Sequence, residues 1–302
     1  MILEDFYDVI IIGGSYAGLG AAMALGRALR SVLVVDNGDP CNKQTPYSHN
    51  FLTQDGKTPR EITGVAKRQV QTYGSVAFFN GMATAAGTTK EGFEVMVETG
   101  ETFKGKKLVL ATGIKDILPA IPGFAESWGI SVLHCPYCHG YEVRQQKTGL
   151  LANGDLAYEM SALLSNWTDD LTVYTNGLST LRESQLIKLR QNNIKIVETR
   201  LSKLEHLEGY IYNLILEDGS QEAADVLYAK LPFVQRSTIP LILGCSLTEE
   251  GYIKTDSAQK TTVPGVFACG DNASKIRTVA NAVAMGTTTG IMVNKQLIEE
   301  EF

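Results

Sequence analysis

What the chain lacks narrows it first. No run of eighteen apolar residues occurs in its 302 residues, so no membrane-spanning helix and no membrane partner are expected. There is no excess of basic charge: 27 Lys and Arg stand against 33 Asp and Glu, a net charge of -6. Phosphate backbones call for a basic surface, so nucleic acid is not an expected partner. The start, Met1-Ile2-Leu3-Glu4-Asp5, has no basic signal-peptide region and leads almost at once into a strand pattern, so a cytoplasmic protein is expected. Cysteine is scarce and odd in number: Cys41, Cys135, Cys138, Cys245 and Cys269. Such a scattered set is not a secreted disulfide framework. Only one pair is spaced Cys-x-x-Cys, which excludes a four-cysteine zinc site. His134, Cys135, Cys138 and His139 lie too close along the chain to complete a tetrahedron alone, so no metal is expected.

What is present is an ordinary globular balance, 44% hydrophobic and 20% charged, at a length suggesting about two domains. The most informative stretch is His134-Cys135-Pro136-Tyr137-Cys138-His139-Gly140. Two cysteines at this spacing close a small reversible disulfide ring, and a neighbouring imidazolium lowers a thiol pKa. In a reducing compartment such a pair is catalytic more often than structural. His139 is the candidate acid and base of the pair, since an imidazole titrates near neutrality.

Two nucleotide-type turns flank this stretch. Asp8 to Ile12 reads as a strand, Gly13-Gly14-Ser15-Tyr16-Ala17-Gly18 as a tight turn, Leu19 to Leu29 as a helix, and Ser31 to Val35 as a second strand ending at Asp36. Strand, glycine turn, helix, strand and acid make the dinucleotide-binding βαβ plan. Gly13 allows the turn, and Gly18 lets the helix pack on the strand. The backbone of Ser15, Tyr16 and Ala17 offers N–H groups to a pyrophosphate, and Asp36 faces ribose hydroxyls. The polar loop from Asn37 carries Asn42, Lys43 and His49 as further candidate cofactor contacts. Thr58 and Pro59 start an amphipathic helix to Tyr73. A hairpin over Phe93 to Lys104 precedes a buried strand, Lys107 to Ala111, which ends in Thr112-Gly113.

Pro119, Pro122 and Gly123 mark a break. Beyond the cysteines, the strand Gly149 to Leu151, the turn Ala152-Asn153-Gly154-Asp155-Leu156-Ala157, a helix to Asn166 and the strand Leu171 to Thr175 repeat the plan. This copy is worn. Ala152 and Ala157 replace glycines, no acid ends the second strand, and Arg182 is the one nearby candidate for a 2′-phosphate. Asn153, Gly154 and Asp155 are therefore a weak nucleotide set. Finally, Thr262 to Asp271 reads as a buried strand delivering Gly270 and Asp271, and a last helix spans Ile276 to Glu299. Thr278 and Val279 at its start join the cofactor set. Cys245 and Cys269 are expected to be structural, and His206 to lie in a charged surface stretch.

Taken together, the Gly13–Gly18 turn, Ala111-Thr112-Gly113, the Cys-x-x-Cys and Thr262–Asp271 resemble the low-molecular-weight thioredoxin reductase family over nearly the whole chain. The resemblance implies an α/β fold of two Rossmann-like three-layer domains, the second inserted in the first. The FAD-binding domain would be 1–117 with 243–302, and the NAD(P)H-type domain 118–242. It implies FAD as cofactor, a homodimer, and rotation of the domains between half-reactions. Cys138 would lie against the flavin while Cys135 exchanges with a thioredoxin-type or small disulfide substrate. The family usually has an aspartate after the second cysteine. Here His139-Gly140-Tyr141-Glu142 looks instead like the branch holding oxygen-dependent dithiol oxidases of small cyclic disulfides. The leading expectation is a thioredoxin reductase-like enzyme using NADP(H). The alternatives are such an oxidase, a ferredoxin-linked reductase, or a non-catalytic thiol sensor.

Overall fold

The computed structural model describes residues 6–302. The five N-terminal residues, on which the signal-peptide reading fell, lie outside the described residues. The chain forms two compact units. One holds the N-terminal part to Lys43, Asn50–Lys115 and Phe233–Phe302; the other holds Gln44–His49 and Asp116–Pro232.

In the first unit, β1 (Phe6–Ile12), α1 (Tyr16–Arg27), β2 (Val32–Asp36), α2 (Pro59–Gln71) and β3 (Val76–Asn80) are followed by β4 (Ala83–Thr89), β5 (Gly92–Val97) and β6 (Thr102–Leu110). β1 is buried on both faces: Val9 and Ile11 join one core cluster, Ile10 and Ile12 the other. Side chains alternate along a strand, so a run apolar at every position belongs in the middle of a covered parallel sheet. The sheet order is β3-β2-β1-β6-β5-β4. β6 does the work that the sequence pattern divides between a hairpin arm and a separate buried strand. Its first half pairs antiparallel with β5 and its second half, Leu108–Leu110, pairs parallel with Val266–Ala268. α2 starts as its sequence predicts. The Thr58 hydroxyl accepts from the Glu61 N–H at 3.2 Å, and the Glu61 carboxylate accepts from the Thr58 N–H at 2.9 Å.

β7 (Ile114–Asp116) leads into the second unit, with α3 (Phe124–Ser127), β8 (Val132–Leu133), the one-turn α4 (Pro136–His139), β9 (Thr148–Leu151), α5 (Gly154–Leu164), β10 (Leu171–Tyr174), α6 (Glu183–Gln191) and β11 (Lys195–Val197). An antiparallel set follows, β12 (Leu201–Leu207), β13 (Tyr210–Leu216) and β14 (Gln221–Ala223), and then β15 (Val226–Ala229). β11-β10-β9-β15-β8 is a parallel sheet. Val173 and Leu150 face a core shared with α5 and α6, whereas Tyr174 and Leu227 face one shared with β12 and β13. Helices, parallel sheet and antiparallel sheet are thus three layers. His206 is not idle in this unit: its Nδ1 accepts from the Gly209 N–H at 3.1 Å and closes the β12–β13 turn.

The chain returns at Phe233, not at 243. β16 (Phe233–Gln235) pairs with β7, and α7 (Ile239–Ile242) sinks Ile239 into the first unit's core beside Leu33 and Leu108. Against the expected insert of 118–242, the second unit ends at Pro232, and Phe233–Ile242 groups with the first unit through the β16–β7 pairing and the buried Ile239. The buried strand expected through Asp271 is short, β17 (Val266–Ala268), and the chain then bends out. α8 (Val279–Glu301) closes the unit. Its seam with α1 is built of small residues. A Cβ on Gly286 would collide with the Ala17 carbonyl, and one on Gly290 would lie 2.6 Å from the Ala21 oxygen. This close approach fixes the N-terminus of α1.

Candidate active site

In the first unit the C-terminal ends of β1, β2, β6 and β17 converge, where open α/β sheets place their ligands. Gly13 turns the chain at φ +104°, and its N–H donates to the Val35 carbonyl at 2.8 Å. A Cβ there would overlap the Ala111 carbonyl oxygen, so Ala111 and Gly13 are packed backbone to backbone. Ser15 is the N-cap of α1, but its hydroxyl makes no capping bond. Tyr16, Ala17 and Gly18 form the first turn and are buried. The Asp36 carboxylate accepts from the Gly14 N–H at 2.9 Å, which pins the acid across the mouth of the turn.

The neighbouring loop is tied down locally. The Asn37 side chain accepts from the Asp39 N–H at 3.3 Å. Asn42 donates to the Tyr16 hydroxyl at 3.2 Å, and Lys43 pairs with Asp39 at 2.7 Å. Asp39 also holds Arg236, and these two cations keep its carboxyl below the usual range. Gly113, at φ +67°, has no atom within 4 Å of where a Cβ would stand. Gly270 turns at φ +86°; Asp271 lies 3.8 Å from Arg277 and 3.9 Å from the Cys41 sulfur. Thr278 caps α8 by accepting from the Asn281 N–H at 3.2 Å, with Val279 as the first helical residue. Sequence reasoning missed Asn272. Fully buried, it donates to the Leu110 carbonyl at 2.8 Å and the Thr112 hydroxyl at 3.2 Å, locking the ends of β6 and β17 together. Its place directly after Gly270-Asp271 was the available signal. An α1 N-terminus without a side-chain cap, a carboxylate beside it and an open glycine rim fit a dinucleotide such as FAD.

The second unit's turn is built differently. Asn153 caps α5, and its Oδ1 accepts from Gly154 N–H at 2.8 Å, Thr180 N–H at 2.8 Å and Thr180 Oγ1 at 3.1 Å. Its Nδ2 donates to the Leu178 carbonyl at 2.9 Å. Asp155 brings its own negative charge to the first turn, where it accepts from Arg182 at 2.7 Å and Gln185 at 2.7 Å. Arg182 is therefore already engaged, while Arg200 stands at the end of β10, its Nε 3.8 Å from where a Cβ on Gly177 would lie.

Cys135 and Cys138 form a disulfide, with their α-carbons 5.3 Å apart. Pro136 begins the single helical turn between them, and the Cys138 N–H donates to the Cys135 carbonyl at 3.2 Å. His139 ends that turn. Its expected titration near neutrality is overturned: burial first, and the charge of nearby His49 second, push its pKa down to about 4. His49 itself belongs to the second unit, where its Nδ1 lies 3.5 Å from the Glu142 carboxylate, an interaction that sequence reasoning did not anticipate. The His134 ring packs 6.0 Å from that of Trp128. Cys269 and Cys245 are buried, with thiol pKa values raised by that burial, to about 12 for Cys269.

The sequence profile of the pyridine nucleotide-disulphide oxidoreductase family matches residues 7–286. The chain is 34% identical to thioredoxin reductase tcpT of Claviceps purpurea (strain 20.1), over 99% of this chain and 97% of that one. It is 33% identical to thioredoxin reductase sirT of Leptosphaeria maculans, over 97% and 95%. The crystal structure of an oxidoreductase from Agrobacterium tumefaciens superposes with a TM-score of 0.91 at 36% identity, covering 97% of this chain and 99% of the other. With a dinucleotide turn in one unit and a Cys-x-x-Cys disulfide in the other, this chain belongs to the pyridine nucleotide-disulphide oxidoreductase family, as an FAD-dependent disulfide oxidoreductase of the thioredoxin reductase kind.

Proposed function

We propose that the enzyme oxidises a small dithiol to its disulfide, with dioxygen as final acceptor and no pyridine nucleotide. One observation carries the choice: the α5 turn is filled by the chain's own groups, while the α1 turn has no side-chain cap. A pyrophosphate at α5 would have to displace Asn153 and Thr180 and would meet the Asp155 carboxylate, an anion facing an anion. Arg182 would have to leave that carboxylate before it could hold a 2′-phosphate.

FAD, held at the Gly13–Gly18 turn, supplies the two-electron acceptor that returns the reduced cysteines to the disulfide. The rest is thiol–disulfide exchange on this chain. A substrate thiol gives its proton to neutral His139, and its thiolate attacks Cys135 Sγ. The Cys135–Cys138 bond breaks, and Cys138 leaves as a thiolate that takes the proton back from His139. The second substrate thiol then attacks the mixed disulfide, expels Cys135 and closes the substrate ring. Two electrons and two protons pass from the substrate to the pair. With its pKa pushed down to about 4, His139 is neutral before exchange and a weak base, so it carries the proton only in passage between the two sulfurs and does not store it.

The reading includes a homodimer in the cytoplasm; among the described residues no helix is long and apolar enough to cross a membrane. A second reading, NADPH-driven reduction of a thioredoxin, is favoured by the names of the relatives. Peroxide release from an aerated cyclisable dithiol without nucleotide is the expected result. Turnover that requires NADPH and a thioredoxin would replace the first reading with the second.

A further inference from the structure

The stretch that carries the disulfide also carries rings that burial does not account for. Tyr137, between the two cysteines, is 63% exposed, and Tyr141, just beyond His139, is 67% exposed. Large aromatic groups left in water are the informative exception to apolar burial. These rings are held, not loose. Tyr137 stands edge-on against Trp167, with centroids 5.6 Å apart and planes at 89°. Trp167 is fixed in turn, its carbonyl accepting from the Gln145 N–H at 2.8 Å and its N–H donating to the Leu164 carbonyl at 2.9 Å. Gly140 admits it: a Cβ there would lie 2.9 Å from the indole Nε1. The Arg144 guanidinium covers the Tyr141 ring at 4.1 Å.

Exchange at the sulfurs needs a base and an accessible disulfide, not an aromatic wall. A ring already immobilised by its neighbour loses little entropy when a ligand stacks on it. We propose that Tyr137, backed by Trp167, is a specificity-determining platform that selects small dithiols bearing an aromatic ring. The inference rests on the dithiol reading above and names the substrate class that reading leaves open.

The probes are 1,2-bis(mercaptomethyl)benzene as aryl dithiol, dithiothreitol as a ring-free dithiol, and the S,S-dimethylated aryl compound, which binds but cannot react. The holoenzyme is expected to prefer the aryl dithiol, and Tyr137→Ala to lower the ratio of the two kcat/KM values roughly three- to tenfold, the range of an aromatic pair. Tyr137→Phe is expected to keep the preference. In a Trp128→Phe background, Trp167 is the sole indole, and the dimethylated compound is expected to change its emission saturably, about three- to tenfold more weakly after Tyr137→Ala. An unchanged ratio, or no saturable emission change, overturns the proposal. So does a purified thioredoxin whose turnover depends on Tyr137 while the dithiol ratio does not. If neither dithiol is oxidised but Tyr137-dependent binding persists, the platform stands and the oxidase reading falls.

Discussion

Gly18→Ala tests the cofactor turn where its geometry is tightest. Gly18 lies in α1 with ordinary helical backbone, so alanine there gains up to ~1 kcal/mol of helix propensity. Its new Cβ would overlap the Gly13 carbonyl oxygen and lie 2.9 Å from the Gly13 carbon and 3.4 Å from Ile11 Cγ2. Gly13 has no room to retreat, because its own Cβ position is filled by the Ala111 carbonyl and its N–H is bonded to Val35. The helix end must therefore move away from the strand. Overpacking of this kind costs about 1–3 kcal/mol, which exceeds the propensity gain at most of that range. The displaced amides lose alignment with a bound pyrophosphate, and each charge-assisted hydrogen bond contributes about 1.5–3 kcal/mol. One such bond lost weakens FAD binding by roughly 10- to 100-fold. The assay is titration of apoprotein with FAD followed by flavin fluorescence, together with the flavin-to-protein absorbance ratio after gel filtration. Gly87→Ala in β4, with no atom within 4 Å of its added methyl, is the control expected to bind as wild type. A Gly18→Ala protein that keeps its flavin at wild-type affinity would refute the reasoning.

Other consequences are equally direct. Asn272→Leu removes two buried donations, to the Thr112 hydroxyl and to the Leu110 carbonyl, which keeps the Cys269 N–H; at about 0.5–1.5 kcal/mol each, the expected loss in urea unfolding is about 1–3 kcal/mol. His139 in an unfolded chain takes up a proton near pH 6.5, but in the fold only near 4. Falling pH therefore favours the unfolded state across that window, by at most about 3 kcal/mol, and less because the ring is partly exposed. Wild type is expected to lose more stability than His139→Gln between pH 7 and pH 4.5; equal losses in urea titrations would contradict the assigned burial. Cys138→Ser is expected to abolish dithiol turnover while the protein stays yellow; retained turnover would remove the disulfide from the mechanism.

The βαβ plan was legible because its physics is local. Turn glycines, a buried five-residue strand and a terminal acid lie within thirty residues, and the structure puts Gly13, Gly18 and Asp36 together as expected. The Thr58–Glu61 cap was legible for the same reason. What escaped was long-range. Nothing around Gln44–His49 says that the segment belongs with a unit beginning seventy residues later, or that His49 lies beside Glu142. The double pairing of β6 needs β17, more than 150 residues away, to be seen. Substitution of glycines by Ala152 and Ala157 hinted that the second turn was worn, but its closure by Asn153, Thr180 and the Asp155–Arg182 pair needed the fold. The change in His139 pKa likewise follows from burial, which spacing does not report.

The central claim is that electrons enter through the Cys135–Cys138 disulfide from a dithiol, with no nucleotide. It is tested most directly by the visible spectrum of the yellow holoenzyme under anaerobic mixing. 1,2-Bis(mercaptomethyl)benzene is expected to bleach the flavin band in wild type but not in Cys138→Ser, while NADPH and NADH leave it unchanged. Rapid bleaching by NADPH, with none from the dithiol, would contradict the account.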